Sequence, residues 1–246
     1  MSIDLNMPSD LFSECCYVRV SAGEVIALKQ SDTVHAVVAD FVVPERDGGY
    51  SKGRETREII LRAALSILID EGYRAMSMRR VALICGMKFG NLTYHYRTRE
   101  DLVRELLDAV ITSYEIAFDA VVRRPDLEPE ARLRQYCLLI LDDIGTKKTT
   151  RLFPELWALT NHDPFVLERL HELYRRARKP LFEIINELRP DLSSDEQEAL
   201  TLFISSAMEG ATIFVGHEKP FASRMACLTE VSVQAFTGLV RNFKRG

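Results

Sequence analysis

Long hydrophobic runs are missing from this sequence. Apolar stretches such as Ile59-Ile60-Leu61 and Ala63-Ala64-Leu65 are broken by charges within a few residues. None approaches the ~18 to 20 apolar residues that span a bilayer, so no membrane partner is expected. The start, Met1-Ser2-Ile3-Asp4, lacks the basic and apolar regions of a secretory signal. Cysteine is scarce and odd in number: Cys15, Cys16, Cys85, Cys137 and Cys227. Irregular spacing argues against a disulfide framework and points to a reducing, cytoplasmic setting. No C-x-x-C pair and no H-E-x-x-H occurs, so no metal site is expected. The adjacent Cys15-Cys16 pair reads as incidental thiols. A nucleophile elbow, a paired acid/base site and a phosphate loop are also missing, so neither an enzyme nor a cofactor is expected.

What is present is a globular composition. The 246 residues are 47% hydrophobic and 28% charged, with 12 glycines and 9 prolines, which excludes collagen-like and wholly disordered chains. The net charge of −4 conceals a pattern. Residues 1–50 carry 3 Lys/Arg against 8 Asp/Glu, residues 51–100 carry 10 against 5, and the remainder 19 against 23. One basic segment in an acidic chain is the electrostatic footprint of a polyanion site.

Residues 1–50 differ from the rest. Tyr17 to Val20 and Val34 to Val43 are β-branched and strand-like, with turn signals at Ser21-Ala22-Gly23 and Asp47-Gly48-Gly49. Isolated strand pairs are barely stable in water. A poorly ordered acidic arm with at most a transient hairpin is expected there. From Arg54 the pattern turns helical. Ile60, Ala63, Ala64, Ile67 and Leu68 form an apolar stripe of period 3.6 that stops at Gly72. Ser77 caps a short helix through Val81, Ala82 and Cys85. Gly86 interrupts it, and a further helix spans about Lys88 to Tyr96. Thr98, with Asp101 three residues on, caps a long helix to about Val122. Further helices are expected at roughly Pro129 to Ile144, Arg151 to Asn161, Pro164 to Leu188, Asp195 to Val215 and Ala222 to Phe243. The fold class is therefore all-α.

Two short helices around a glycine turn make a helix-turn-helix. In that motif the second helix enters the major groove. Met87, Leu92 and Tyr96 suit its inner face. Lys88, Asn91, Thr93, Tyr94 and His95 offer donors and rings on the outer face, and Gly90 permits close backbone approach. Phe89 suits either a thymine methyl or local packing. Thr98 and Arg99 open the next helix as a phosphate clamp.

The stretch from Gly86 to Leu102, GMKFGNLTYHYRTREDL, resembles the signature of the TetR family of bacterial transcriptional regulators. Thr56 to Ala64 and Glu71-Gly72-Tyr73 are similar to the family's first helix and its end. Phe153 to Leu159 is similar to some of its effector domains. Lys88 stands where the family usually has Ser or Thr, and Thr93 where it commonly has tyrosine. The resemblance implies a helix-turn-helix domain over 51–98 and an effector-binding and dimerisation domain over 99–246. It implies a homodimer on a palindromic operator, most simply a repressor, with Thr56, Ser77, Lys88, Phe89, Asn91, Thr93, Tyr94, His95 and Arg99 at the DNA. The last two long helices of each subunit would pair into a four-helix bundle. Their stripes point to Phe203, Ala207, Ala211, Phe214, Val231 and Ala235 as the dimer interface. A small effector would tilt the linking helix and release the DNA.

Tyr136, Cys137, Phe153, Trp157, Tyr174 and Met208 are the candidates to line an effector cavity, or else they are core of a bundle. Few paired charges occur in these stripes, which suggests a mostly hydrophobic compound. Lys147-Lys148 and Arg175-Arg176 read as solvated faces. The alternative is a DNA-binding regulator or chromosome-associated factor whose C-terminal domain contacts a protein instead of a metabolite.

Overall fold

The computed structural model describes residues 16–21, 24–25, 34–37, 41–43 and 51–244. Helix accounts for nearly all of the region from 51 onward. Helix α1 (Ser51–Asp70) ends at Glu71-Gly72, where Gly72 takes a φ of 84° that a side chain would strain. A 3-10 turn at Tyr73–Ala75 leads to α2 (Met78–Ile84). Ser77 caps α2 by accepting from the Arg80 amide. Gly86, at φ 64°, makes the turn into α3 (Phe89–His95), and Thr98 with Asp101 closes a full capping box on α4 (Arg99–Val121). These caps fall where the sequence places them.

The larger helical region follows with α5 (Pro129–Ile144), α6 (Lys147–Thr160), α7 (Pro164–Leu188), α8 (Ser194–Val215) and α9 (Met225–Asn242). Helix α6 starts a turn earlier than the expected Arg151, because Thr146 accepts from the Thr149 amide and caps it there. It also carries Pro154 internally. Helix α9 begins at Met225 because Ala222–Arg224 is wound as a 3-10 turn.

The two basic pairs are not uniformly solvated. Lys147 is exposed and bonds Asp70 of α1 at 2.6 Å, but Lys148 is buried and pairs with buried Asp143 at 3.2 Å. Arg175 is exposed beside Glu172, whereas Arg176 is half-buried against Glu115 of α4. A buried carboxylate at Asp143 and a half-buried one at Glu115 drew two of these cations inward, an effect invisible to local charge counting.

Helix α8 corrects a second expectation. Taken over its length it is apolar enough to cross a bilayer. Serine, threonine and glycine dilute its apolar residues without adding charge. It packs against α5, α6, α7 and α9, and its apolar residues occupy two faces, one of them outward.

In the arm, β1 (Cys16–Ser21) pairs antiparallel with β2 (Glu24–Val25) and parallel with β3 (Val34–Val37), in the order β2-β1-β3. The two segments expected as strands do pair, but in parallel, so they form no hairpin with each other; the antiparallel partner of β1 is β2, which the sequence did not signal as a strand. Most of the arm's expected disorder falls on residues outside the described ones. Strand β3 lies against α5 and α4. Beyond it, Phe41 and Val43 are buried, the Val42 amide donates to the Ala109 carbonyl of α4 at 2.9 Å, and Arg62 of α1 stands over the Phe41 ring.

Candidate nucleic-acid interface and effector cleft

Helix α3 is anchored by two side chains. Leu92 and Tyr96 are fully buried, as their spacing requires for an inner face. The opposite face is open. Tyr94 is 86% exposed, and Lys88, Phe89, Gly90 and Asn91 are exposed beside it. The Tyr94 and His95 rings meet edge-on at 5.3 Å, with His95 half-buried. Thr93 is half-buried and its hydroxyl donates to the Gly90 carbonyl. Arg79 of α2 stands 6.0 Å from the Phe89 ring, so this ring has a local partner as well as an open edge.

The remaining expected contacts are partly engaged. The Thr56 hydroxyl donates to the Lys52 carbonyl, and the Ser77 hydroxyl serves as the α2 cap. Arg99 is turned inward. Its Nη2 donates to the Tyr73 carbonyl at 2.7 Å and its guanidinium lies 3.9 Å from the Tyr73 ring centre. It braces the α1–α2 connection against the start of α4. Among the exposed donors at this edge are those of Lys88, Asn91 and Tyr94.

The helix-turn-helix is fixed to the larger region by specific bonds. Arg57 of α1 and Glu105 of α4 form a buried ion pair, with Nε donating at 2.7 Å. Lys147 reaches Asp70, and Glu155 of α6 accepts from the Tyr73 amide at 3.2 Å.

Within the larger region a cleft lies between α4, α5, α6, α7 and α8, with about 340 Å³ of space between atoms, its mouth included. The side chains close tightly around it, so an organic ligand enters only as the helices part. Phe153 and Tyr174 line it, as expected, with their rings 6.1 Å apart. Trp157 sits behind them and donates from Nε1 to the Tyr174 hydroxyl at 2.7 Å. Tyr136, Cys137 and Met208 are buried in the packed core and do not line it. The Tyr136 ring stacks on Phe118 at 5.3 Å and its hydroxyl donates to the Ala177 carbonyl. Burial pushes the Cys137 thiol up to about 12, which makes it inert.

Sequence reasoning missed eight residues of the lining, four of them with polar side-chain atoms: Tyr114, Asp143, Thr149 and Glu209. Asp143 accepts from the hydroxyls of Tyr114 and Thr149 and pairs with Lys148, so its charge is compensated. Glu209 accepts only from the Tyr174 hydroxyl, at 3.3 Å, and burial raises its carboxyl to about 7. Its signal was visible in the sequence: it is the one charged residue between Glu198 and Glu218. These polar groups are set in a lining that is otherwise mostly apolar.

Helices α8 and α9 present an outward apolar face. Phe203, Phe214 and Val231 are 56%, 59% and 57% exposed, and Ala207 and Ala235 are exposed beside them. Ala211 is the exception. It is buried, because it lies four residues before Val215 on the face packed inward.

Two family models match the chain. That of bacterial regulatory proteins of the tetR family covers residues 60–106, and that of the BetI-type transcriptional repressor C-terminal domain covers residues 129–232. The chain belongs to the TetR family. It is a helix-turn-helix transcriptional regulator that binds DNA through residues of the first match, in a family of regulators and not of enzymes. An uncharacterized HTH-type transcriptional regulator in the dhlA 5' region of Xanthobacter autotrophicus is 26% identical over 166 residues, 65% of this chain and 78% of that one. The regulator AcrR of Shigella flexneri is 27% identical over 108 residues, 43% of this chain and 49% of AcrR. A TetR-family regulator from Mesorhizobium loti matches in structure, with a TM-score of 0.63 and 16% identity over 77% of this chain and 98% of that one. That last likeness is one of fold.

Proposed function

We propose that this regulator is a homodimeric repressor that sits on a palindromic operator and leaves it when a small effector enters the C-terminal cleft. The observation that carries this reading is the presence of two open surfaces on one chain. One is the donor-rich face of α3, where Lys88, Asn91 and Tyr94 stand clear of the core. The other is the apolar face of α8 and α9, with Phe203, Phe214 and Val231 in water. An apolar face of that kind on a soluble fold calls for a partner, and a twofold one sets two α3 helices side by side for inverted half-sites.

The cleft supports the effector part of the proposal. Its walls come from α4, which leads from the helix-turn-helix, and from the four helices that follow. Parting those walls moves Tyr114, and with it α4. Residues 1–50 are proposed as an arm preceding the two working domains, 51–98 and 99–246, and resting on both through Phe41 to Val43.

The experiment is a selection of operators from random duplex DNA, followed by anisotropy titrations of the recovered site. An inverted repeat bound by two subunits, with affinity falling steeply as salt rises, is the expected result. Equal affinity for scrambled duplex at physiological salt overturns it.

A further inference from the structure

The cleft has an unusual electrical character for a pocket walled by rings. Its hydrogen bonds run in one direction. Trp157 Nε1 donates to the Tyr174 hydroxyl, and that hydroxyl donates to Glu209 Oε2. Each donor in the chain is spent on the next group, so the chain delivers an acceptor to the cleft. A carboxylate has about four acceptor positions, and Tyr174 fills one. No cation stands within ion-pair distance of Glu209 among the described residues. Lys148, a buried ammonium next in sequence to the lining residue Thr149, is paired with Asp143. Arg178 lies 6.0 Å from the centre of the Tyr174 ring and favours the charged form of Glu209 without pairing with it.

Three aromatic side chains share the lining with Glu209. Tyr114, Phe153 and Tyr174 all line the space. Ring faces attract cations and repel anions. A buried carboxylate with no counter-ion is costly, and that cost is relieved by an incoming positive charge. An anionic ligand would instead meet Glu209 directly and find no free cation in the wall.

From this we infer that the cleft takes a small organic cation, an ammonium group on an apolar body, with the ammonium on Glu209 and the body among Phe153, Tyr174 and Tyr114. This inference rests on the effector-responsive reading above and gives that site its ligand class. It also adds a positive charge to the mostly hydrophobic compound that the sequence suggests.

The test uses three probes that share one ring and differ in charge: benzylamine, benzyl alcohol and benzoate. Each is titrated calorimetrically into the full chain without DNA at pH 7.5. The amine is expected to bind at least tenfold more tightly than either of the others. Glu209→Gln is expected to weaken the amine at least tenfold, leaving the alcohol unchanged. Glu209→Asp, which keeps the charge, is expected to retain the preference for the amine, and thermal melts of both variants check that they fold. The inference is overturned if the amine does not bind, if the alcohol or benzoate binds as tightly, or if Glu209→Gln binds the amine like the parent. The same probes are then added to the operator complex. An amine that binds through Glu209 without releasing DNA defeats the effector-linked repressor and leaves the cation site standing. Release by benzyl alcohol alone does the reverse.

Discussion

At the scale of single residues, exposure separates recognition from stability. Tyr94 is almost wholly in water, so its removal takes nothing from the core. Tyr94→Ala is expected to weaken operator binding by about 1–3 kcal/mol with an unchanged melting temperature, measured by anisotropy and circular dichroism. Glu209 behaves in the opposite way. Its carboxyl lies at about 7 in the fold against an ordinary 4.5, because burial disfavours the charge. The folded chain therefore holds this proton more tightly than the unfolded chain. Stability from this group is full below about 4.5 and is lost as pH rises through about 7. Glu209→Gln has no charge to bury. It is expected to melt above the parent at pH 8, by an amount equivalent to about 1–3 kcal/mol, with the gap closing toward pH 5. A gap that does not change with pH would show that the carboxyl does not titrate in this way.

At the scale of helices, much was legible because caps and periodicity are local. Ser77, Thr98 and Gly72 each announce a boundary through their own hydrogen bonds or φ, and the structure places the boundaries there. The inner face of α3 followed from the spacing of Leu92 and Tyr96. What could not be read is what only packing decides. Lys148 and Asp143 are five residues apart, yet their burial depends on α4 bringing Tyr114 against them. Arg99 looks like a phosphate ligand until the Tyr73 carbonyl claims it. Tyr136, Cys137 and Met208 have the composition of a pocket wall, and the three-dimensional arrangement puts them behind it. The outward face of α8 was read well except at Ala211, where a small residue fits either side. Phe214→Asp sets a charge in the middle of that face. The expected outcome in sedimentation is a monomer with a parent-like helical spectrum, since the side chain is 59% exposed in the single chain. A dimer that persists would locate the twofold contact elsewhere.

At the scale of the whole molecule, the bonds joining the reading head to the larger region decide whether motion in one is felt in the other. Arg57–Glu105 is the buried one of these. Arg57→Ala removes one side of a buried ion pair, a change that typically costs about 3–5 kcal/mol. The expected result is a lower melting temperature together with an operator affinity that responds less to any effector. Asp70–Lys147 is exposed, and severing it with Lys147→Ala should alter stability by less than about 1 kcal/mol.

The segment Phe41-Val42-Val43 touches both halves of the molecule at once, through Arg62 of α1 and the Ala109 carbonyl midway along α4. It therefore works as a gauge already soldered across the hinge. Tryptophan in place of Phe41 would report each change in the angle between the halves as a change in its own fluorescence, with no label added to the surface that reads the operator.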